Sequence, residues 1–317
     1  MPDNTSITIK EGTISISPHA FQYCSSLTAV SIPSSVTSIG ERAFQKCSGL
    51  TAVSIPNGVT SIGDVVFSDC SGLTAVSIPN SVTSIGNSAF SGCSGLTAVN
   101  IPNSVTSLGN GAFAFCSGLT AVSIPNSVTS IGSEAFWGCS GLIAVSIPNS
   151  VTSIDWLAFR ECSGLMDVYC YAKEIPNTDS DAFNQSNIGN ATLHVPAVSI
   201  DSYKATSPWN GFGKIVPLER CATPTISFAN GKVKVTCATK GAKCVTSIVT
   251  EEQASEDAEI DLSTEFTVRT YATAEGYEDS EVVTATFNRS QTTGDLDGDG
   301  YVNISDVTTL VNIILGK

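Results

Sequence analysis

Over about two-thirds of the chain, apolar and polar residues recur in a fixed unit of 23 positions: C-S-G-L-T-A-V-S-I-P-N-S-V-T-S-I-G-x-x-A-F-x-x. Cys24, Cys47, Cys70, Cys93, Cys116, Cys139 and Cys162 fall at that interval every time. A constant period in this range marks a solenoid, in which each unit buries its apolar face only by stacking on its neighbours. Six full copies run from Cys24 to Glu161. A diverged half-copy precedes them, with Ile7, Ile9, Ile16, Ala20 and Phe21 in register, and a diverged copy follows from Cys162. Within one unit Leu50, Val53 and Ile55 point inward from a strand that Pro56 ends, because proline has no N–H to give a central ladder. Val59 and Ile62 form a second inward pair, and Gly63 permits the next turn. The third inward pair is a small residue followed by phenylalanine. The small residue is Ala43, Ala89, Ala112, Ala135 or Ala158, with Val66 the exception. Phe21, Phe44, Phe67, Phe90, Phe113, Phe136 and Phe159 should therefore stack as one internal column. With strands about 4.8 Å apart, some eight rungs make a rod of roughly 35 Å.

The strand's outward positions carry Thr28, Thr51, Thr74, Thr97 and Thr120, then an alanine column, then a serine column interrupted by Asn100 and Tyr169. This expected concave face is small, uncharged and nearly identical from rung to rung. Variation collects in the two x-x pairs around Ala-Phe, where Glu41, Arg42, Gln45, Lys46, Asp64, Asp69, Glu134, Arg160 and Glu161 sit. Trp137 and Trp156 lie on the same edge and are the candidate ligand anchors, since tryptophan and arginine dominate interface hot spots. The cysteine column places thiols near roughly 5 Å from one another, within disulfide range. Parallel side chains rarely supply the required Cβ geometry, so buried free thiols acting as small apolar groups are expected. A metal column is disfavoured, because thiolate ligands must converge tetrahedrally.

L-x-x-V-x-I is the strand signature of leucine-rich repeats. The 23-residue unit with its Cys, Leu, Val, Ile-Pro, Val, Ile-Gly and Ala-Phe positions resembles the BspA-like leucine-rich repeat of bacterial surface proteins. The stretch from Ala191 through Tyr203 to Leu218 resembles that family's C-terminal cap. The resemblance implies a cell-surface location and adhesion to host proteins such as fibronectin and fibrinogen.

The period vanishes at Glu219, and 16 of the 29 acidic residues lie from there to Lys317. Five short alternating runs begin at Thr225, Lys232, Cys244, Glu265 and Glu281, separated by turn signals at Asn230, Lys240 and Glu275. Such spacing predicts a β-sandwich. The pattern resembles the immunoglobulin-like domain at the C-terminus of chitobiases, an accessory module without catalytic carboxylates. Cys237 and Cys244 flank a short loop; in a hairpin they could close a small disulfide, and otherwise they are ordinary strand cysteines.

The last segment spells an oxygen-rich loop with Asp295, Asp297, Asp299, Tyr301 (through its carbonyl), Asn303 and Asp306 at ligand positions 1, 3, 5, 7, 9 and 12, and Gly300 at the sharp turn. Hard oxygens with flexible spacing suit Ca²⁺ over Mg²⁺ or a transition metal. Ser305 then opens a short apolar-striped helix. Aspartate at the last position resembles a dockerin repeat, of which a complete dockerin has two and this chain one, so a cohesin-like partner is an open possibility.

The fold class expected is mainly β. A leucine-rich-repeat solenoid occupies residues 1–218, an immunoglobulin-like β-sandwich 219–291, and a single dockerin-like calcium repeat 292–317. A net charge of −14 argues against nucleic acid, which needs a basic face. Two histidines, His19 and His194, leave little for histidine-based hydrolysis, and no phosphate loop is present, so no enzyme is expected. No run of about 18 apolar residues spans a membrane. The start at Met1 shows neither a basic nor an apolar leader region, so no signal peptide is expected within this sequence. The function expected is recognition of a host or matrix protein outside the cell. The rivals are an assembly component docked through the calcium repeat and a polysaccharide-binding module.

Overall fold

The computed structural model describes residues 5–229, 232–240, 242–250, 265–273, 277–280 and 282–288, in two compact units, 1–217 and 218–317.

The first unit is a β-solenoid of about nine turns. One face is built from parallel strands one repeat apart: Thr5–Thr8, Leu27–Ser31, Ala52–Ser54 and Ala75–Ser77, then Ala121–Ser123, Ala144–Ile147 and Asp167–Cys170. Ala98 bridges to Ala121 between the two groups. Register holds along the repeats, as Ala52↔Ala75 and Val53↔Val76 show, because a slip of one residue would turn the apolar set outward. One shift falls at the N-terminal edge, between Thr5 and Ser6. A second face stacks two-residue strands, among them Ser61–Ile62, Ser84–Ile85, Ser107–Leu108, Ser130–Ile131 and Ser153–Ile154.

The third side has no strand, and its hydrogen bonds still run from turn to turn. Each column phenylalanine N–H donates to the carbonyl of the small residue one turn on, at 2.7–3.0 Å from Phe21→Ala43 to Phe159→Ala182. The rings stack at 5.1–5.6 Å between centroids and within 10° of parallel, the offset arrangement that aromatic quadrupoles favour. Val66 fills the alanine slot fully buried.

Beside this column lie the thiols. Cys47, Cys70, Cys93, Cys116, Cys139 and Cys162 are fully buried and donate to the carbonyls of Phe21, Phe44, Phe67, Phe90, Phe113 and Phe136, at 3.0–3.3 Å. Free thiols occupy all eleven cysteines. Glycine in the C-S-G step is required by close approach: a Cβ on Gly95 would sit 2.6 Å from the Ser71 carbonyl oxygen.

At the C-terminal end two further strands continue the first sheet in parallel, Thr192–Val195 and Lys214–Pro217. Between them the helix Ile200–Ala205 and the turn at Trp209 close the stack. Phe183 ends the ring column against the edges of Trp209 and Phe212. The buried polar tips are all paired: Tyr203 donates to the Ala172 carbonyl at 2.9 Å, and Trp209 Nε1 to Thr178 Oγ1 at 3.1 Å. The stretch read as a cap is thus both closure and extra rungs.

In the second unit Thr225–Ala229 pairs antiparallel with Lys232–Thr236. Lys243–Thr250, Glu265–Thr273 and Val283–Asn288 form an antiparallel sheet over buried Val268 and Ala272. All five alternating runs carry strands. Lys232–Thr236 and Lys243–Thr250 belong to different sheets. The free thiols of Cys237 and Cys244 still lie close: burial first, and then Cys237, raises the Cys244 thiol, and Cys237 donates to the Ala222 carbonyl at 3.3 Å.

Candidate functional site

Two surfaces of the solenoid differ in how they satisfy their backbone. On the sheet face, Thr28, Thr51, Thr74 and Thr120 donate their hydroxyls to the carbonyl of the threonine one turn earlier, Thr5, Thr28, Thr51 and Thr97, at 3.1–3.3 Å. A second threonine column does the same from Thr83, Thr106 and Thr152. Ser81, Ser104 and Ser150 donate to valine carbonyls of the preceding turn at 2.7–2.8 Å. These hydroxyls brace one rung to the next.

The uniformity ends near the C-terminal rungs. Ile143 and Met166 take the threonine slot and stand 46% and 58% exposed. Beside them the Tyr169 and His194 rings stack at 4.4 Å, and His194 Nε2 lies 3.0 Å from Asp167 Oδ1. Only Tyr169, as a break in the serine column, was visible in the repeat pattern; the pairing partner His194 sits in the diverged cap, where no period announces it.

The variable edge is built differently. Two positions in each turn take the left-handed backbone conformation, with φ between 51° and 74°. The first is His19, Arg42, Val65, Ser88, Gly111, Glu134 and Leu157; the second is Tyr23, Lys46, Asp69, Gly92, Phe115, Gly138 and Glu161. This conformation aims the N–H along the solenoid axis. Val65 donates to the Asn87 carbonyl at 2.8 Å, Glu134 to Trp156 at 2.9 Å, and Phe115 to Trp137 at 2.6 Å. Backbone makes the bond, so the side chain takes no part in it.

Phe115, from one of these slots, has aromatic residues on the turns that follow it, Trp137 and Trp156. Phe115 is 45% exposed, and its ring covers Gly138, where a Cβ would lie 2.6 Å from the ring. Phe115 also meets Trp137 at 4.9 Å between centroids. The Arg160 guanidinium sits 5.2 Å over the Trp137 ring, with its Nε bonded to Glu161. Trp137 is therefore half-buried within the edge, and its Nε1 is buried without a hydrogen-bond partner. Trp156 stands 49% exposed. Phe115 escaped the sequence reading because its slot varies among Lys46, Asp69 and Gly92, which hides a single aromatic.

The buried thiols sit where the thiolate is disfavoured. Burial pushes Cys47 and Cys139 up to about 12, and it raises Cys93, Cys116 and Cys162 as well. In these surroundings the thiols pack as small apolar groups. Asp295, Asp297, Asp299, Tyr301, Asn303 and Asp306 lie outside the described residues. No helix among the described residues is long and apolar enough to cross a membrane.

Parallel L-x-x-V-x-I strands, stacked Ala-Phe turns and a closing helical cap define a leucine-rich repeat solenoid. Residues 3–120 and 83–204 match the BspA type leucine rich repeat region, and the chain belongs to that family. No curated protein matches the sequence. Among solved structures, the chain is similar to a leucine-rich repeat protein from Bacteroides ovatus (24% identity, 67% of this chain and 69% of that one, TM-score 0.48). It is also similar to a leucine rich cell surface protein from Faecalibacterium prausnitzii (30% identity, 67% and 59%, TM-score 0.39). A third is the leucine rich repeat protein of T. pallidum (25% identity, 65% and 79%, TM-score 0.39).

Proposed function

We propose that this is a surface recognition protein whose solenoid binds an extracellular or matrix protein through the variable edge. The observation that carries the reading is the division of labour between the two surfaces: threonine hydroxyls of the sheet face are consumed in bracing rungs, whereas the edge leaves Phe115 and Trp156 45% and 49% exposed. Membership of the BspA-type family, whose leucine-rich repeats are protein-binding scaffolds, supports it. No catalysis is part of this proposal. Surface plasmon resonance against immobilised fibronectin and fibrinogen tests it. Truncating Trp156 to alanine should weaken binding by about 2 kcal/mol, the hot-spot range. Replacing Thr74 and Thr97 with alanine should cost less than about 0.5 kcal/mol of binding. The reverse order would favour a repetitive ligand such as a polysaccharide matched to the rungs.

A second reading rests on the ligand spacing from Asp295 to Asp306, which suits one Ca²⁺ per chain. In this reading residues 219–291 form an immunoglobulin-like sandwich, and 292–317 a dockerin-like repeat that carries the ion and can engage a cohesin-like partner. Calorimetric titration should find one site, removed by Asp295→Ala, and unfolding of the solenoid should shift little with the ion.

A further inference from the structure

We propose that Trp156 receives a cationic side chain, an arginine or lysine, from the protein partner, and that the carboxylates of Asp155 and Glu134 flank the incoming charge. This deepens the recognition role proposed for the edge and rests on it.

Two aromatics of the edge are already covered by cations of this chain. Lys46 Nζ lies 5.4 Å over the Tyr23 ring, and the Arg160 guanidinium lies 5.2 Å over Trp137. In both pairs the cation comes from the equivalent slot one repeat later. A cation over an aromatic face gains from the ring quadrupole, and more so as water is excluded. Trp156 is not covered in this way. Asp155 and Asp179 occupy one slot of successive turns, because their N–H groups donate to Ile131 and Ile154 respectively. The residue one turn after Trp156 is therefore Ser180, whose side chain has neither charge nor ring. The indole is left 49% exposed.

Charge around this ring favours a cation from outside. Asp155 adjoins Trp156 and is exposed, and Glu134 donates its N–H to the Trp156 carbonyl from the turn before. Asp179 and Asp181 follow on the next turn. Arg160 is the cation at this end of the edge among the described residues, and it is engaged with Glu161, Gln185 and Trp137. A partner with an apolar or anionic tip would leave Asp155 and Glu134 uncompensated. A guanidinium or ammonium would meet ring and carboxylates together.

The experiment titrates the full chain with a blocked peptide of alternating arginine and glycine, and with the same peptide carrying citrulline, which keeps shape and loses charge. The arginine peptide should bind about tenfold more tightly than the citrulline peptide, and Trp156→Ala should remove about tenfold of its affinity. Trp156→Phe should keep most of it, which separates ring loss from misfolding. Asp155→Asn with Glu134→Gln should weaken binding severalfold. Glu11→Gln with Asp201→Asn removes equal charge elsewhere and should leave binding unchanged, which separates the site from general attraction to an acidic chain. Equal binding of the two peptides, or of Trp156→Ala and wild type, overturns the proposal. If Trp156→Ala still loses fibronectin or fibrinogen while the two peptides bind alike, the cation is wrong and the recognition edge stands. If the peptide needs Trp156 while neither matrix protein needs the edge, the cation site stands and the recognition role falls.

Discussion

The sheet face and the variable edge of one solenoid face the same problem, pairing every backbone group with the next turn, and they solve it with different atoms. The face uses side-chain hydroxyls: the carbonyl of Thr51 accepts both the N–H and the Oγ1–H of Thr74, at 2.9 and 3.1 Å. Where the hydroxyl is absent, as at Ile143 and Met166, the N–H bond holds the rung by itself. The edge turns its main chain left-handed at two positions in each turn and pairs those through N–H groups, at some cost in strain. At Asp64 and Asn87 a side chain accepts the N–H of the next turn, from Asn87 and Asn110. Arg42, Val65, Glu134 and Leu157 thus occupy one structural slot. Repetition on the face and variation on the edge are the two consequences in the sequence.

Both ladders hang on the same core of rings and thiols, so the largest effect comes from the core. In the unfolded chain these thiols ionise from about pH 9, and in the folded one Cys47 and Cys139 wait until about 12. Below pH 9 both forms hold their protons and the full stability is present. Between those values the unfolded chain releases protons that the folded chain keeps, so stability falls as pH rises, by about 1.4 kcal/mol per pH unit for each buried thiol. Denaturant melts from pH 7 to 11 should show a flat region and then a steep loss, reduced in slope by Cys93→Ala. A profile without that loss would mean the thiols are not held in the core as described.

Next in size is the seam where turns approach most closely. Gly95→Ala forces a methyl against the Ser71 and Leu73 carbonyls and should cost about 2 kcal/mol, because backbone must yield. A cost under about 0.5 kcal/mol, the level of an ordinary surface change, would show the turns to be looser than the structure has them.

The comparison itself is sharpened by removing hydroxyls. Thr51→Val, Thr74→Val and Thr120→Val keep the shape and lose the brace, and each should cost about 1 kcal/mol in thermal or denaturant unfolding. Ser133→Ala on the edge should stay within about 0.5 kcal/mol. Equal costs on both surfaces would break the distinction between a face braced by hydroxyls and an edge paired through its main chain.

Much of this was legible in the sequence for a physical reason. A solenoid repeats its environment every 23 residues, so Cys, Leu and Phe recur wherever a side chain is buried, and the core can be read as a list of constant letters. The phenylalanine column and the strand face follow directly. The left-handed slots did not announce themselves, because glycine fills them in only three of the fourteen positions given above and residues as unlike as His19 and Phe115 fill the rest. The extra rungs at Thr192–Val195 and Lys214–Pro217 were hidden by the helix between them, which breaks the period while the register continues. The exposure of Trp156 and the partial burial of Trp137 depended on what stands one turn later, Ser180 in one case and Arg160 in the other. A letter pattern read one unit at a time does not compare such neighbours.

The smallest effect tests the claim that the left-handed slots of the edge carry a cost in strain. Val65 has φ of 61°, a conformation that β-branched residues resist because both γ carbons crowd the backbone. Its N–H bond to Asn87 needs that conformation, so the strain is held in place by the ladder. Asparagine tolerates the left-handed region and keeps the same N–H. Val65→Asn should therefore stabilise the solenoid by about 0.5 kcal/mol, the relief of strain less the apolar contact of a half-buried valine. Leu157 is the control. It shares the slot at φ of 56°, but it is 2% exposed, so Leu157→Asn gives up a packed side chain and should destabilise by about 2 kcal/mol or more. Opposite signs in parallel denaturation curves would show that strain and burial are separable along one column. A loss at Val65 equal to that at Leu157 would mean that packing, and not backbone conformation, decides what the edge accepts.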